Sequence, residues 1–470
     1  MNSTRIIAPL LAALILSACS TTPALKAPAL DVPVAFKEAQ DPVRAADGST
    51  WRVARPAESQ PRGEWWLAFN DPALSSLVNE ATQANANLAV AAARVKQARA
   101  LAGLAEADRS VQVGAGVGAQ RGVSQLTGPA PVNTYQAKLT ASYELDLFGR
   151  VGAGITAAQA DAAAQDALYK SVLLALQADV AQTYFRLRAL DAELATLNQT
   201  ADLRAQSVKI NQSRFDNGDI GEFDLARAKT ELSTARAEAI GLQRQRAQLE
   251  HALAVLLGKP AAAFSAPAGA PIDVAALPKI PVGLPSTLLE RRPDVTAAQR
   301  AMVASNARIG VARSAMFPAL NLNGGFGGES DTFANVFKWS SRSWVLGALM
   351  SMPLIDGGRN KANVARSEAV LEESVATYRQ NVLAAFAEVE DNLSGLRILA
   401  SQGEQVEAAV VSARRSADLA QTLYRAGRSS YLDLLDAQRN LAAVERGAVQ
   451  LRGSQAVTTV ALIRSIGGAW

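Results

Sequence analysis

One cysteine and one histidine in 470 residues remove most of the chemistry that a chain of this size could perform. Cys19 cannot close an internal disulfide, and His251 alone makes neither a zinc site nor a triad. No catalytic or metal-ligating constellation is assigned, and His251 reads as an ordinary helix residue. Aromatic residues are scarce at 5%, which argues against a thick aromatic core and suits alanine-rich helices packed side by side. Charge of either sign is not in excess: 47 basic against 43 acidic residues leave +4, too little to point to nucleic acid or an acidic ligand. A phosphate loop of the form G-x-x-x-x-G-K-S/T is missing, so no site for nucleotide hydrolysis is evident and the energy must come from a partner. An enzyme is the reading with least support, since no acid, base and nucleophile cluster together.

The apolar run Ile6 to Leu16, preceded by Arg5, is about half the ~20 residues a membrane-spanning helix needs. It reads as a signal peptide. With Leu16-Ser17-Ala18-Cys19 after it, the segment resembles a bacterial lipoprotein signal, which implies cleavage before Cys19 and a covalent lipid (N-acyl and S-diacylglycerol) upon it. The same resemblance implies that Ser20, in place of an aspartate, favours the outer membrane. Residues 19–64 are rich in proline, alanine and polar residues without periodicity, as expected of a lipidated tether.

The rest of the chain is one unit used twice. Leu145, Gly149 and Arg150 recur 209 residues later as Leu354, Gly358 and Arg359; Phe215, Gly218, Asp224 and Gly258 recur as Tyr424, Gly427, Asp433 and Gly467. The copies are 65–258 and 286–470, each predicted as helix, two strands and a helical hairpin. Residues 259–285 between them hold six prolines and form an irregular connection.

Strict alternation predicts four strands: around Val111 to Val117, Tyr135 to Leu147, Leu320 to Phe326 and Trp344 to Leu354. Gly114, Gly116 and Gly118 therefore belong to a strand and not to a dinucleotide loop. Phe333, Phe337, Trp339 and Trp344 are candidates for an aromatic girdle at a membrane interface. Strands of this length fit an outer-membrane barrel, yet four cannot close one, so the chain is expected to oligomerise; a trimer supplies twelve and leaves a lumen. From Arg150 to about Arg214 there is no proline, and apolar residues fall three or four apart, predicting a helix of about 100 Å at ~1.5 Å per residue. Leu371 to Leu396 repeat its pattern. Turns at Asp216 to Gly221 and Ala426 to Ser430 send a shorter helix back from each. The fold class is mixed α/β, mainly α.

WWLAFNDPALSSLV (65–78), YELDLFGR (143–150), LPSTLLERRPDV (284–295), ARIGVARSAMFPALNL (307–322), PLIDGGR (353–359), YRAGRSSYLDLLDAQRNL (424–441) and IGGAW (466–470) closely resemble the TolC-like outer-membrane efflux family, in its lipoprotein branch. The resemblance implies a homotrimer with a 12-stranded barrel continued by a periplasmic helical barrel. It implies a passive exit duct for drugs and other small molecules, serving an inner-membrane pump of the RND class through a periplasmic adaptor. Two other readings remain open at this stage: a channel for secreted polypeptides in a type I system, and a non-conducting, lipid-anchored scaffold.

The family's periplasmic gate lies at the hairpin tips, and the resemblance carries that role to Leu432, Asp433 and Asp436. Ser430 and Asp433 also have capping-box spacing, so a capping role stands beside the gate role. The repeat mate of Asp436 is Arg227, so the helix start does not itself demand a carboxylate there. Some relatives latch the gate with an arginine two residues beyond the tip glycine; here that residue is Ser429, which leaves Arg227 and Arg428 as candidate latches. Gly218 and Gly427 serve the tip turns, where the adaptor is implied to dock.

Overall fold

A computed structural model describes residues 21–26, 32–33, 35–38, 63–124, 128–269, 271–280 and 291–468. Cys19 and the signal segment lie outside the described residues. The elements are α1 (Pro72–Ala84), α2 (Ala86–Ala107), β1 (Gln112–Ser124), β2 (Gly128–Leu145), α3 (Arg150–Asp216), α4 (Glu222–Leu256), α5 (Pro293–Ser314), β3 (Ala319–Ser330), β4 (Arg342–Ser351), α6 (Arg359–Arg425) and α7 (Tyr431–Ser465).

Duplication is written into their lengths. The helices α3 and α6 both have 67 residues, α4 and α7 both have 35, and α2 and α5 both have 22. The paired glycines share a backbone conformation: Gly218 and Gly427 have φ of 80° and 69°, a left-handed geometry that costs glycine little and an L side chain more. Among the strands, β2 ends at Leu145 and β4 at Ser351, so Leu147, Met352 and Leu354 fall beyond the ends that alternation gave them, and Val111 precedes β1 by one residue. The first predicted helix, Pro72 to Arg109, is broken at Asn85, which leaves helical geometry to cap α2: its Oδ1 accepts from Leu88 N–H at 3.0 Å.

Contacts divide the chain into two compact units that cut across the sequence repeat. The first comprises residues 1–30, 92–168 and 294–381; the second comprises 31–91, 169–293 and 382–470. Each repeat gives residues to both.

The first unit contains the sheet, an antiparallel meander in the order β1-β2-β3-β4. Its register separates two faces. The rows Ala115–Leu139–Phe326–Trp344 and Val113–Ala141–Gly324–Leu346 lie on one side; Gly116–Lys138–Gly327–Ser343 and Gly114–Thr140–Gly325–Val345 lie on the other. One face is thus apolar and the other mostly polar or glycine-bearing, with Val345 and Leu349 as exceptions on β4, the outcome of period-two patterning. Val117, Leu139, Phe326, Trp344 and Leu346 are exposed on the apolar face. Lys138 and Glu329 pair at 2.7 Å on the polar one. The three glycines of β1 are strand residues, as their alternation predicted.

Below the strands Asp146 accepts from Val151 and Gly152 N–H at 3.0 and 2.7 Å, starting α3, while Asp356 accepts from Gly358 and Asn360 N–H, both at 2.9 Å, starting α6. Negative charge at a helix start answers both the free amides and the macrodipole. The tether also has a seat in this unit. Thr21 Oγ1 lies 3.0 Å from the carbonyls of both Phe148 and Gly310, and Asn306 Nδ2 donates to Pro23 O at 2.9 Å.

The second unit holds the main core. Trp65, Trp66 and Phe69 form a short 3-10 turn whose rings pack onto Tyr184, Phe185 and Leu187 of α3, with Leu253 of α4 and Val460 and Ile463 of α7 in the same cluster. Asp71 caps α1 through Ala73 and Leu74 N–H, and its other oxygen accepts from Tyr184 Oη at 2.6 Å. The tether is seated here too: Phe36 is buried against Phe386, and Lys37 and Glu38 N–H donate to the Glu390 carboxylate at 2.7 and 2.9 Å. Within 259–280 the connection is clamped by Arg246, which reaches Asp191 at 2.6 Å, Glu250 at 2.8 Å and Ala266 O at 2.7 Å.

Among the described residues no helix is long and apolar enough to cross a membrane.

Candidate functional site at the helical hairpin tips

Both hairpins turn in the same way. The N–H of Asp219 donates to Arg214 O and that of Arg428 to Leu423 O, both at 2.8 Å, closing six-residue loops around Gly218 and Gly427. This is the glycine-terminated helix end that satisfies otherwise orphaned carbonyls. Neither glycine has a heavy atom near the position of an added Cβ, so both tips leave room around their glycines.

The helices that return are started differently. Gly221 precedes α4 and offers no side chain, whereas Ser430 caps α7 in a complete capping box. Asp433 Oδ2 accepts from Ser430 N–H at 3.0 Å and from Ser430 Oγ at 2.7 Å, while Asp433 N–H lies 3.2 Å from Ser430 Oγ. The Ser430 hydroxyl, then its N–H, hold the Asp433 carboxyl below the usual carboxylate range. Asp433 is therefore occupied locally, and the capping half of its two expected roles is seen directly. Asp436, one turn on, is exposed and has no hydrogen bond or ion pair among the described residues. Leu432, one residue before Asp433, is 43% exposed.

Of the candidate latches, Arg428 is exposed and joins the turn through its backbone alone; Arg227 is half-buried and acts by charge on Glu231 and Tyr431. Neither forms an ion pair with Asp433 or Asp436 within the described chain. Three other arginines do the tying. Arg204 of α3 and Arg439 of α7 both reach Glu231 of α4, Arg204 at 3.3 Å, so one buried carboxylate joins three helices. The Arg439 hydrogen bond is the chief reason the Glu231 carboxyl sits below its ordinary value; burial opposes it, and the charges of Arg204 and Arg227 assist. Arg214 of α3 donates to Tyr424 O at 3.1 Å and lies over that ring at 4.5 Å, while Tyr424 Oη donates to the buried Asn211. Tyr431, Leu434 and Leu435 complete a small core with Ala228. Burial pushes the Tyr431 hydroxyl up to about 12.

These ties were not singled out from the sequence, although a signal existed. In the repeat frame Arg204 faces Ala413, Glu231 faces Asn440, Arg439 faces Thr230 and Arg214 faces Leu423. Each breaks the internal symmetry in the manner of Asp436 against Arg227.

Four amphipathic strands joined to two helical hairpins agree with what is found on comparison. A model of the family described as "Outer membrane efflux protein" matches residues 77–259 and 284–468. The chain belongs to that family. It is 31% identical over 466 residues to the cation efflux system protein CusC of Escherichia coli, covering 98% of each chain. It is 32% identical over 469 residues to the solvent efflux pump outer membrane protein SrpC of Pseudomonas putida, again covering 98% of each. The solved outer-membrane channel OprN superposes with a TM-score of 0.85 at 29% identity, covering 96% of this chain and 100% of that one. This family member is an outer-membrane efflux channel with the TolC-like fold, as its motifs implied.

Proposed function

We propose that three copies of this chain close a 12-stranded barrel and form the exit duct of a tripartite pump, fed by a periplasmic adaptor and an inner-membrane transporter of the RND class. The observation that carries this reading is the sheet itself. It is apolar on one face and mostly polar on the other, yet β1 and β4 have unpaired outer edges among the described residues. An open edge in lipid leaves each backbone group unsatisfied at several kcal/mol, so edges must pair with other copies. Three copies give twelve strands and an open lumen; two would give eight and a side-chain-filled interior. Conduction is passive and no catalysis is involved. Acylated Cys19 anchors the tether, which is further held at Thr21 and at Phe36.

The hairpin tips form the periplasmic gate, with Leu432 and Asp436 constricting the pore and Asp433 both capping α7 and adding charge. Rings of three carboxylates repel, so closure needs compensating contacts. Cargo is small molecules, in keeping with the efflux named in its relatives. The test is single-channel conductance of the purified protein in planar bilayers against Asp433→Ala plus Asp436→Ala. A small, cation-preferring conductance that rises in the variant is expected. Absence of conductance in both, with an adaptor supplied, would overturn the reading in favour of a closed scaffold.

A further inference from the structure

The connection between β3 and β4, residues 331–341, does not project away from the sheet. It folds back over the apolar face: the Val336 carbonyl occupies the space that a Cβ on Gly328 would need, and Phe333 packs edge-on against Tyr135 at 5.9 Å. Gly328 and Tyr135 belong to the register rows of that face. Between loop and sheet lies a cleft of about 630 Å³. Val117, Leu139 and Phe326 line it from the strands, and exposed Phe337 and Trp339 line it from the loop.

Besides Lys138, which borders the cleft from β2, two cations stand in this apolar trough. Arg342 donates to Trp339 O at 3.0 Å and lies 4.7 Å from the Trp339 ring centre, and Lys338 stands beside them. Neither has a carboxylate partner among the described residues. The neighbouring Glu329 belongs to the opposite face, where Lys138 holds it at 2.7 Å. A cation on the lipid side of a barrel is costly at mid-membrane and tolerated only near an interface, where lipid phosphates supply counter-charge. Closing a barrel pairs strand edges and leaves faces free, so the cleft stays open to lipid. All α-helices leave the sheet at the other end, which places 331–341 toward the exterior and the outer leaflet.

We propose that this cleft is a binding site for a phosphorylated, multiply acylated glycolipid of the outer leaflet, of the lipid A type. Acyl chains lie on Val117, Leu139, Phe326 and Phe337, and a glycan phosphate is held by Arg342 and Lys338 in charge-assisted hydrogen bonds. The proposal rests on the outer-membrane placement and not on the gate.

Native mass spectrometry of the full-length protein in detergent, titrated with bis-phosphorylated lipid A, tests it. Lys338→Ala plus Arg342→Ala is expected to weaken lipid A binding at least tenfold, and lipid A stripped of both phosphates should bind the parent as poorly. Phe337→Ser gives a second, loop-confined loss. Unchanged binding by the double variant, equal binding of dephosphorylated lipid A, or equal binding of phosphatidylglycerol would each overturn it. Conductance of the double variant is measured alongside: a parent-like channel that has lost lipid A supports the site, and failure of the channel reading would show separately as no conductance in the parent.

Discussion

Glu231 on α4 accepts from two nitrogens of Arg439 on α7, and one heptad further along both helices Glu238 meets Arg446 at 3.3 Å. The spacing of seven on each side keeps both pairs on one seam, as the a and d stripe does in a coiled coil. Arg446 continues into α3, reaching the buried Glu193 at 2.5 Å. The pairs differ in depth. Glu231 is 8% exposed, whereas the Glu238 side chain is 47% exposed.

Depth decides the expected cost. Glu231→Ala leaves the charge of Arg204, whose side chain is 11% exposed, with only the carbonyl of residue 231 as a partner, and should destabilise the hairpin pair by about 3 kcal/mol, the usual result of removing one partner of a buried pair. Glu238→Ala removes a surface pair and should cost less than about 1 kcal/mol. Thermal melting followed by circular dichroism ranks the two, and equal shifts would refute the distinction.

Acid should act on the same place. The Glu231 carboxyl is held below its ordinary value of 4.5, so the charged form is favoured on folding. Its stabilising contribution is fully present above 4.5 and is lost as pH falls through the lower, folded value. The melting gap between parent and Glu231→Gln should therefore be widest near neutrality and close in acid. A gap that stays constant through the acid range would exclude Glu231 as its source.

Much of this was legible in sequence because periodicity reports faces. Alternation from Tyr135 onward announced β2, and the proline-free stretch after Arg150 announced α3 nearly to its last residue. The offset of 209 placed the mates of Gly149, Gly218 and Gly258, all of which have positive φ. Strand ends were less legible, since Met352 and Leu354 continue the alternation after hydrogen bonding stops. The break of α1 at Asn85 and the Glu231 ties were hidden because they depend on partners distant in sequence: Asn85 Nδ2 donates to Leu256 O, and Arg439 lies 208 residues from Glu231. A repeat reveals shared architecture, and its function sits where the copies differ.

At the tip, capping and gating make separable predictions. If Asp433 acts mainly through the cap, Ser430→Ala, which removes the other half of the box, should reproduce the conductance change of Asp433→Ala. Asp436→Asn leaves the box intact and should lower cation preference without lowering helix content. Planar-bilayer reversal potentials with a salt gradient read this directly. An Asp436→Asn channel with parental selectivity would remove Asp436 from the constriction.

The glycines with positive φ should not be equivalent. Gly427→Ala meets no atom, so its cost is the left-handed backbone alone, about 1–2 kcal/mol. At Gly258, with φ of 68°, an added Cβ would run into the Ala84 carbonyl as well, and backbone cannot swing aside like a side chain. Gly258→Ala should lower the melting temperature more than Gly427→Ala does, and the reverse order would contradict the close approach of α1 to the end of α4.

The tether seat at Gly310 can be tested without touching Cys19. Any side chain at Gly310 must displace Thr22, whose atoms occupy the Cβ position, and with Thr22 go the contacts of Thr21 with Phe148 O and Gly310 O. A lipid on Cys19 would hold only the end of the tether and would not replace those contacts. Gly310→Val should leave the protein in the membrane fraction while residues 21–26 become rapidly cleavable by added protease. The second seat at Phe36, which is joined to Phe386 and Glu390, should keep residues 36–38 protected. Cleavage of 21–26 at the parental rate would mean that the slot on α5 does not hold the tether.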